Sequence, residues 1–189
     1  MARQISFNQY RTVDLLFFSL IMTVCEAGVV KAATAFPYQP YVLSVVPAVV
    51  CIMYMRWGVW GIFHAFLGGI VACYISNGNA AQYMIYCLGN VFSAVSLFLL
   101  MKLGKEDVRE SVVWSLLYAA LVALLMQVGR GIVSMLLGNS FEVALRFILT
   151  DILSGVFSVV VVWICRRLDG VFEDQKTYLL RINREEGGS

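Results

Sequence analysis

Charged residues are scarce in this 189-residue chain, and prolines are scarcer still. Asp, Glu, Lys and Arg make up 14% of the sequence and Pro occurs 3 times, whereas 60% of the residues are hydrophobic. Soluble domains have about 25% charged and about 45–50% apolar residues. The composition therefore excludes an ordinary soluble domain, and a net charge of only +2 does not favour nucleic-acid binding.

Patterns typical of catalysis and metal binding are missing as well. The sequence contains no HExxH, GxSxG or Walker-type motif, so we expect no enzyme activity, no cofactor and no metal site. The lone His64 is interpreted as a hydrogen-bonded packing residue, the alternative being a metal ligand or proton relay. The cysteines have no CxxC pairing and are interpreted as buried apolar residues. They are Cys25, Cys51, Cys73, Cys87 and Cys165.

Long apolar runs are what the sequence has in abundance. A helix needs about 20 apolar residues to cross a bilayer core of roughly 30 Å, and the chain has room for six such spans with short loops. We predict an all-α integral membrane bundle of six transmembrane helices, with an N-terminus at 1–12, a transmembrane domain at 13–167 and a tail at 168–189. The predicted spans lie at about 13–33, 41–55, 62–75, 81–101, 112–137 and 143–165.

Breaks in the apolar pattern define the loops. Residues 56–61 predict a tight turn between the second and third spans, and Pro37 and Pro40 predict an extended connection before the second. Pro47 falls inside the second span and predicts a kink. A cleavable signal peptide ending at 33–35 is the alternative to an uncleaved first span.

The basic residues alternate along the chain in a way that predicts orientation. Eleven Lys and Arg residues fall in the termini and loops of one side, against three on the other. The positive-inside rule then places both termini in the cytoplasm of a multi-pass plasma-membrane protein.

Polar side chains recur at one depth on four of the spans, toward the outer end. Charged groups inside a bilayer are costly, so they normally face a partner or an interior cavity. Internal ion pairing, for example of Arg130 with Asp151, is one interpretation, and a ligand pocket opening outward is the other. The surplus of cations predicts a ligand with a carboxylate or phosphate group. The candidate ligand-binding residues are Tyr83, Tyr86, Asn90, Gln127, Arg130, Arg146 and Asp151, followed by Glu26 and Lys31.

The layout resembles the substrate-binding S components of energy-coupling factor (ECF) transporters, bacterial importers of vitamins and other micronutrients. The resemblance covers about residues 13–167, with six spans, a Pro-containing outer loop after the first span and a cytoplasmic turn at 56–61. The run 55–90 is similar to S-component sequences.

This resemblance implies a function for the chain. It implies capture of a micronutrient at the outer face and its delivery to a transmembrane T component driven by two ATPase subunits. Docking in the family uses small residues on the first span, here Ser19, Thr23 and Ala27. A second small-residue stripe on the third span serves either as a packing surface or in docking. Its members are Gly61, Ala65, Gly69 and Ala72.

Two other functions are consistent with the sequence. A structural membrane scaffold would need no pocket. A solitary proton-coupled transporter would depend on Asp151 or Glu26 as proton carrier and would need no ATPase partners.

Overall fold

The computed structural model describes residues 6–35 and 43–187, and within these ranges it is built from helices without a strand; the model is 85% helical. Five helical stretches are long and apolar enough to cross a membrane, which agrees with the prediction of a membrane protein. The predicted extended loop containing Pro37 and Pro40 falls outside the described residues, together with the start of the predicted second span.

Helix α1 (Phe7–Thr34) begins with a capping box, in which the Ser6 side chain accepts from the Gln9 N–H and the Gln9 side chain accepts from the Ser6 N–H. Its inward face is narrow: only Ser19, Met22 and Glu26 are buried. Most of its apolar side chains are therefore exposed, as expected of a helix that faces lipid.

Helices α2 (Val46–Trp57) and α3 (Gly61–Ile75) form an antiparallel hairpin through the short 3₁₀ turn Gly58–Trp60. Gly58 has φ +58°, a conformation that glycine adopts without steric cost. The two arms touch at Val46 against Gly68 and at Tyr54 against Gly61. The predicted turn is confirmed, although the arms are only about 18 and 22 Å long at 1.5 Å per residue.

The prediction of a kink at Pro47 is wrong. Helix α2 begins at Val46, so Pro47 stands in its first turn. Proline is tolerated there because the first N–H groups of a helix have no intrahelical partner. The hairpin arm behind it is almost fully enclosed, since every residue of α2 except Val49 is buried.

The next segment combines three helices. Helix α4 (Ala80–Val91) continues through the 3₁₀ turn Phe92–Ser96 into α5 (Leu97–Leu103). The charged stretch between the predicted fourth and fifth spans contains the short helix α6 (Lys105–Glu110).

Helix α7 (Val112–Leu136) matches the predicted fifth span within one residue and contacts α2, α4, α8 and α9. The predicted sixth span is divided into α8 (Phe141–Thr150) and α9 (Ile152–Cys165). The break falls at Asp151.

Two glycines allow α4 to approach α3 and α7 closely. A Cβ atom at Gly69 would lie 2.7 Å from the backbone of Tyr86 and Cys87 on α4, and one at Gly89 would lie 2.6 Å from the backbone of Arg130 on α7. Small residues allow such close approach where lipid supplies no hydrophobic drive. Helices α3, α4 and α7 are therefore held backbone to backbone.

The tail is less detached than its charged composition predicts. Phe172 is 1% exposed and Gln175 is fully buried, and α10 (Gln175–Gly187) follows. Because an apolar ring in this segment is removed from water, residues 170–175 pack against the bundle instead of extending freely into solvent.

Candidate functional site: a cavity at one end of the bundle

A cavity of about 340 Å³ lies at the end of the bundle where α1 finishes and α4 begins. Its size falls within the range of small-molecule sites, about 300–1,000 Å³. It is lined from α1, α3, α4, α7 and α8, and from Ser44 ahead of α2. Its polar and aromatic lining residues include Glu26, Ser44, Tyr86, Arg130, Phe147 and Asp151.

Arg130 is the centre of the polar wall. It is 4% exposed, and its Nη1 donates to Asp151 Oδ2 at 2.6 Å and to Gln127 Oε1 at 3.1 Å. Its Nε donates to Asn90 Oδ1 at 2.8 Å, and Asn90 donates in turn to the carbonyl of Ala65 at 3.0 Å. The ion pair predicted for Arg130 and Asp151 is therefore present, and it connects α3, α4 and α7 to the α8–α9 break.

The remaining nitrogen of the guanidinium, Nη2, has no hydrogen-bond partner in the part of the chain that the structure describes. The guanidinium carbon lies 4.5 Å from the ring centre of Tyr86, whose ring meets Phe147 edge-on at 6.1 Å. Stacking of this kind holds the guanidinium plane in place. One donor at the edge of an ordered cation thus remains available to an acceptor in the cavity.

Glu26 forms the wall on the side of α1 and is 2% exposed. It accepts from Ser44 Oγ at 2.9 and 3.1 Å on its two oxygens and from the Val45 N–H at 2.8 Å. These donors belong to the N-terminal end of α2, where the helix dipole favours a negative charge. The sequence placed Glu26 among second-choice ligand residues, and the structure places it in the cavity wall.

A serine bridge connects the two walls. The Ser44 N–H donates to Ser154 Oγ at 2.9 Å, and Ser154 Oγ donates to Asp151 Oδ1 at 2.7 Å. Ser44 was not among the predicted site residues. Serine is common just before the first residue of a helix. That preference points to Ser44 only once α2 is known to begin at Val46.

Five of the nine predicted ligand residues do not line the cavity: Tyr83, Lys31, Arg146, Asn90 and Gln127. Lys31 is exposed, and Arg146 is exposed and pairs with Glu142 at 3.3 Å. Lys31 lies five residues after Glu26, and Arg146 lies five residues before Asp151. Five residues turn a helix by about 140°, so the two members of each pair point in different directions. A shared depth along the helix therefore did not mean a shared face. Asn90 and Gln127 lie behind the wall and support Arg130.

The small residues predicted for docking mostly face this chain's own helices. Gly61 packs on Tyr54, Gly69 packs on the backbone of α4, and Ala65 is fully buried. Ser19 faces α3 as well, with its Oγ 3.2 Å from His64 Nε2. These placements support the packing interpretation of the stripe. Thr23, Ala27 and Ala72 are half-buried.

His64 and the cysteines behave largely as apolar-core residues. His64 is fully buried, with Nε2 within hydrogen-bond distance of Ser19 and of the Leu15 carbonyl, as predicted. Cys51, Cys73 and Cys87 are buried, but Cys25 is exposed on the apolar face of α1, so the prediction of a buried thiol is wrong there.

The opposite end of the bundle contains a second ion pair with a buried arginine, which we call the clamp. Arg56 binds Asp14 through Nη2 at 2.7 Å and Nε at 2.9 Å, and its Nη1 donates to the carbonyls of Gly170 and Val171. Trp57 Nε1 donates to the same carboxylate at 2.5 Å. The clamp therefore ties α1, α2 and the tail together.

Comparisons with protein-family models, with curated proteins and with solved structures found no significant match for this chain.

Proposed function

We propose that this protein is a membrane-embedded substrate-binding subunit that captures a small molecule in the cavity between Glu26 and Arg130. The observation that carries the proposal is the Nη2 donor of a buried, stacked arginine beside an empty space of about 340 Å³. Nη2 is not among the buried side-chain atoms without a partner in the described chain, so it opens onto this space, where water or a ligand can satisfy it. A site that receives a ligand keeps such a donor available.

The finer proposal is an S component of an ECF-type importer, which passes a vitamin or related micronutrient to a T component driven by two ATPase subunits. In this arrangement the α2–α3 hairpin counts as two spans, giving six spans with both termini cytoplasmic. The antiparallel contact of α2 with α3 supports the count, and the side-to-side alternation of Lys and Arg supports the orientation. The cavity end would then face outward in the bacterial plasma membrane.

The test is mass spectrometry of small molecules extracted from protein purified in mild detergent after growth in rich medium. We expect one small molecule at near-stoichiometric amount in the wild type, a loss of at least about tenfold in Tyr86→Ala, and full retention in Arg146→Ala, the exposed control. If wild type and both variants carry nothing, the binding function is refuted. Co-purification of the loaded protein with two ATPases would support the importer, whereas uptake that needs only a proton gradient would favour a solitary transporter.

A structural scaffold is the second candidate, and one observation favours it. Arg130, Asp151, Gln127 and Asn90 already form one network across α4, α7 and the α8–α9 break without a ligand, and Asn90 extends it to the Ala65 carbonyl on α3. A scaffold predicts that no small molecule is retained and that Tyr86→Ala leaves assembly with envelope partners unchanged.

A further inference from the structure

The charge of the cavity differs from what the sequence indicates, and the difference bears on the ligand. Among the lining residues Arg130 contributes +1 and Glu26 and Asp151 contribute −2, so the formal charge is −1 when all three are ionised. With Glu26 protonated it is zero. In neither state does the cavity carry a net positive charge.

The neighbouring charges do not reverse this balance. Lys31 and Arg146 do not line the cavity, and Arg146 is engaged by Glu142. Residues 36–42, which the structure does not describe, contain no Asp, Glu, Lys, Arg or His. Their position therefore cannot change the formal charge.

The two charged walls also differ in how far they are neutralised. Arg130 is paired with Asp151 at 2.6 Å. Glu26 is bound by a hydroxyl and a backbone N–H, and no cation is paired with it in the part of the chain that the structure describes. A ligand that brings a positive charge would supply the partner that Glu26 lacks, whereas an anion would meet two carboxylates and one arginine whose charge is already paired with Asp151.

We infer that the cavity selects a small organic cation: an ammonium group directed to Glu26, carried on an aromatic or apolar body that packs against Tyr86 and Phe147. The aromatic faces can bind such a ligand in two ways, through apolar contact with its body and through cation–π attraction to its ammonium group. The Nη2 of Arg130 remains for an uncharged acceptor on the same molecule. This inference rests on the proposed binding function and specifies its substrate class.

The test uses two probes of similar size and opposite charge, phenethylammonium and 3-phenylpropionate. Their binding to the purified protein is measured by saturation-transfer NMR in detergent. We expect phenethylammonium to bind at least about tenfold more tightly than 3-phenylpropionate, because unit charges a few ångströms apart interact strongly in a partly desolvated site. Glu26→Gln should reduce this preference to near unity, and Glu142→Gln, an exposed carboxylate outside the cavity, should leave it unchanged.

The outcomes separate the two proposals. Equal or tighter binding of 3-phenylpropionate overturns the charge inference and leaves the binding function in place, as does extraction of an anionic molecule from the native protein. Binding of neither probe also overturns the charge inference; the function falls only if the extracted protein carries no molecule. If Glu26→Gln does not fold, the preference of the wild type between the probes decides alone.

Discussion

The two ends of the bundle each bury an arginine against an aspartate, yet the two pairs are built differently. At the clamp, all three nitrogens of the Arg56 guanidinium are hydrogen-bonded, to Asp14 and to two backbone carbonyls of the tail. At the cavity, Arg130 uses Nε and Nη1 and leaves Nη2 without a partner in the described chain. Both arginines are about equally buried, at 6% and 5% side-chain exposure.

This difference shows that burial of a charged pair does not by itself indicate function. A saturated pair has no donor left for anything else, so the clamp is explained by holding α1, α2 and the tail together. The pair at the cavity has both an unused donor and space in front of it. Hydrogen-bond saturation, more than depth or charge, separates a structural pair from a candidate binding pair.

The largest stability effect is expected at the clamp. Arg56→Ala leaves Asp14, whose side chain is only 11% exposed, without its cation and removes the donor to the tail carbonyls, so the free energy of unfolding should fall by about 3–5 kcal/mol. Denaturant titration in mixed micelles measures this loss. The folded fraction should still retain the small molecule, because the clamp lies on α1 about 18 Å from the level of Glu26. Loss of the molecule from folded protein would contradict the separation of the two ends.

Gly89→Ala is expected to affect the cavity through the backbone. Its new Cβ would lie 2.6 Å from the backbone of Arg130, so α4 and α7 must separate and Arg130 must move. We expect a loss of about 1–3 kcal/mol in stability together with weaker ligand retention. Gly28→Ala is the matched control, since a Cβ there meets nothing within 4 Å and alanine favours the helix. Equal effects of the two substitutions would refute the close-contact account.

Ser44→Ala tests the bridge between the cavity walls. The substitution removes the hydroxyl that both oxygens of Glu26 accept from, at 2.9 and 3.1 Å. A cost of about 1–3 kcal/mol is expected for a buried acceptor that loses its donor. Ser158→Ala serves for comparison, because that hydroxyl only donates to the backbone one turn earlier, at the Ser154 carbonyl. A Ser158→Ala variant as destabilised as Ser44→Ala would show that Glu26 does not need the bridge.

The smallest effect is expected at Arg146, which the sequence had placed in the pocket. Its side chain is 71% exposed and its pair with Glu142 is a single contact within one helix. Arg146→Ala should change stability by less than about 0.5 kcal/mol and leave ligand retention intact. A marked loss of the small molecule extracted from this variant would mean that the face of α8 carrying Arg146 contacts the cavity, contrary to the structure.

The sequence predicted the helical membrane class, the turn at 56–61 and the convergence of Tyr86, Arg130 and Asp151, because apolar runs and intramembrane charges are strong local signals. It did not predict Ser44, since that role depends on where α2 begins, and residues 41–45 look like part of the span. Lys31 and Arg146 were placed at the right depth on the wrong face. Lys31 is excluded by the rotation of α1, and Arg146 by the rotation of α8 combined with the break at Asp151, which only three-dimensional packing reveals.

The most direct test of the account is an experimental structure of the protein purified without added ligand from cells grown in rich medium. We predict density for one small molecule between Glu26 and Tyr86, within hydrogen-bond distance of Arg130 Nη2, and none beside Arg56. A cavity closed by the protein's own side chains, with Arg130 Nη2 bound to one of them, would contradict the account and leave the scaffold as the better explanation.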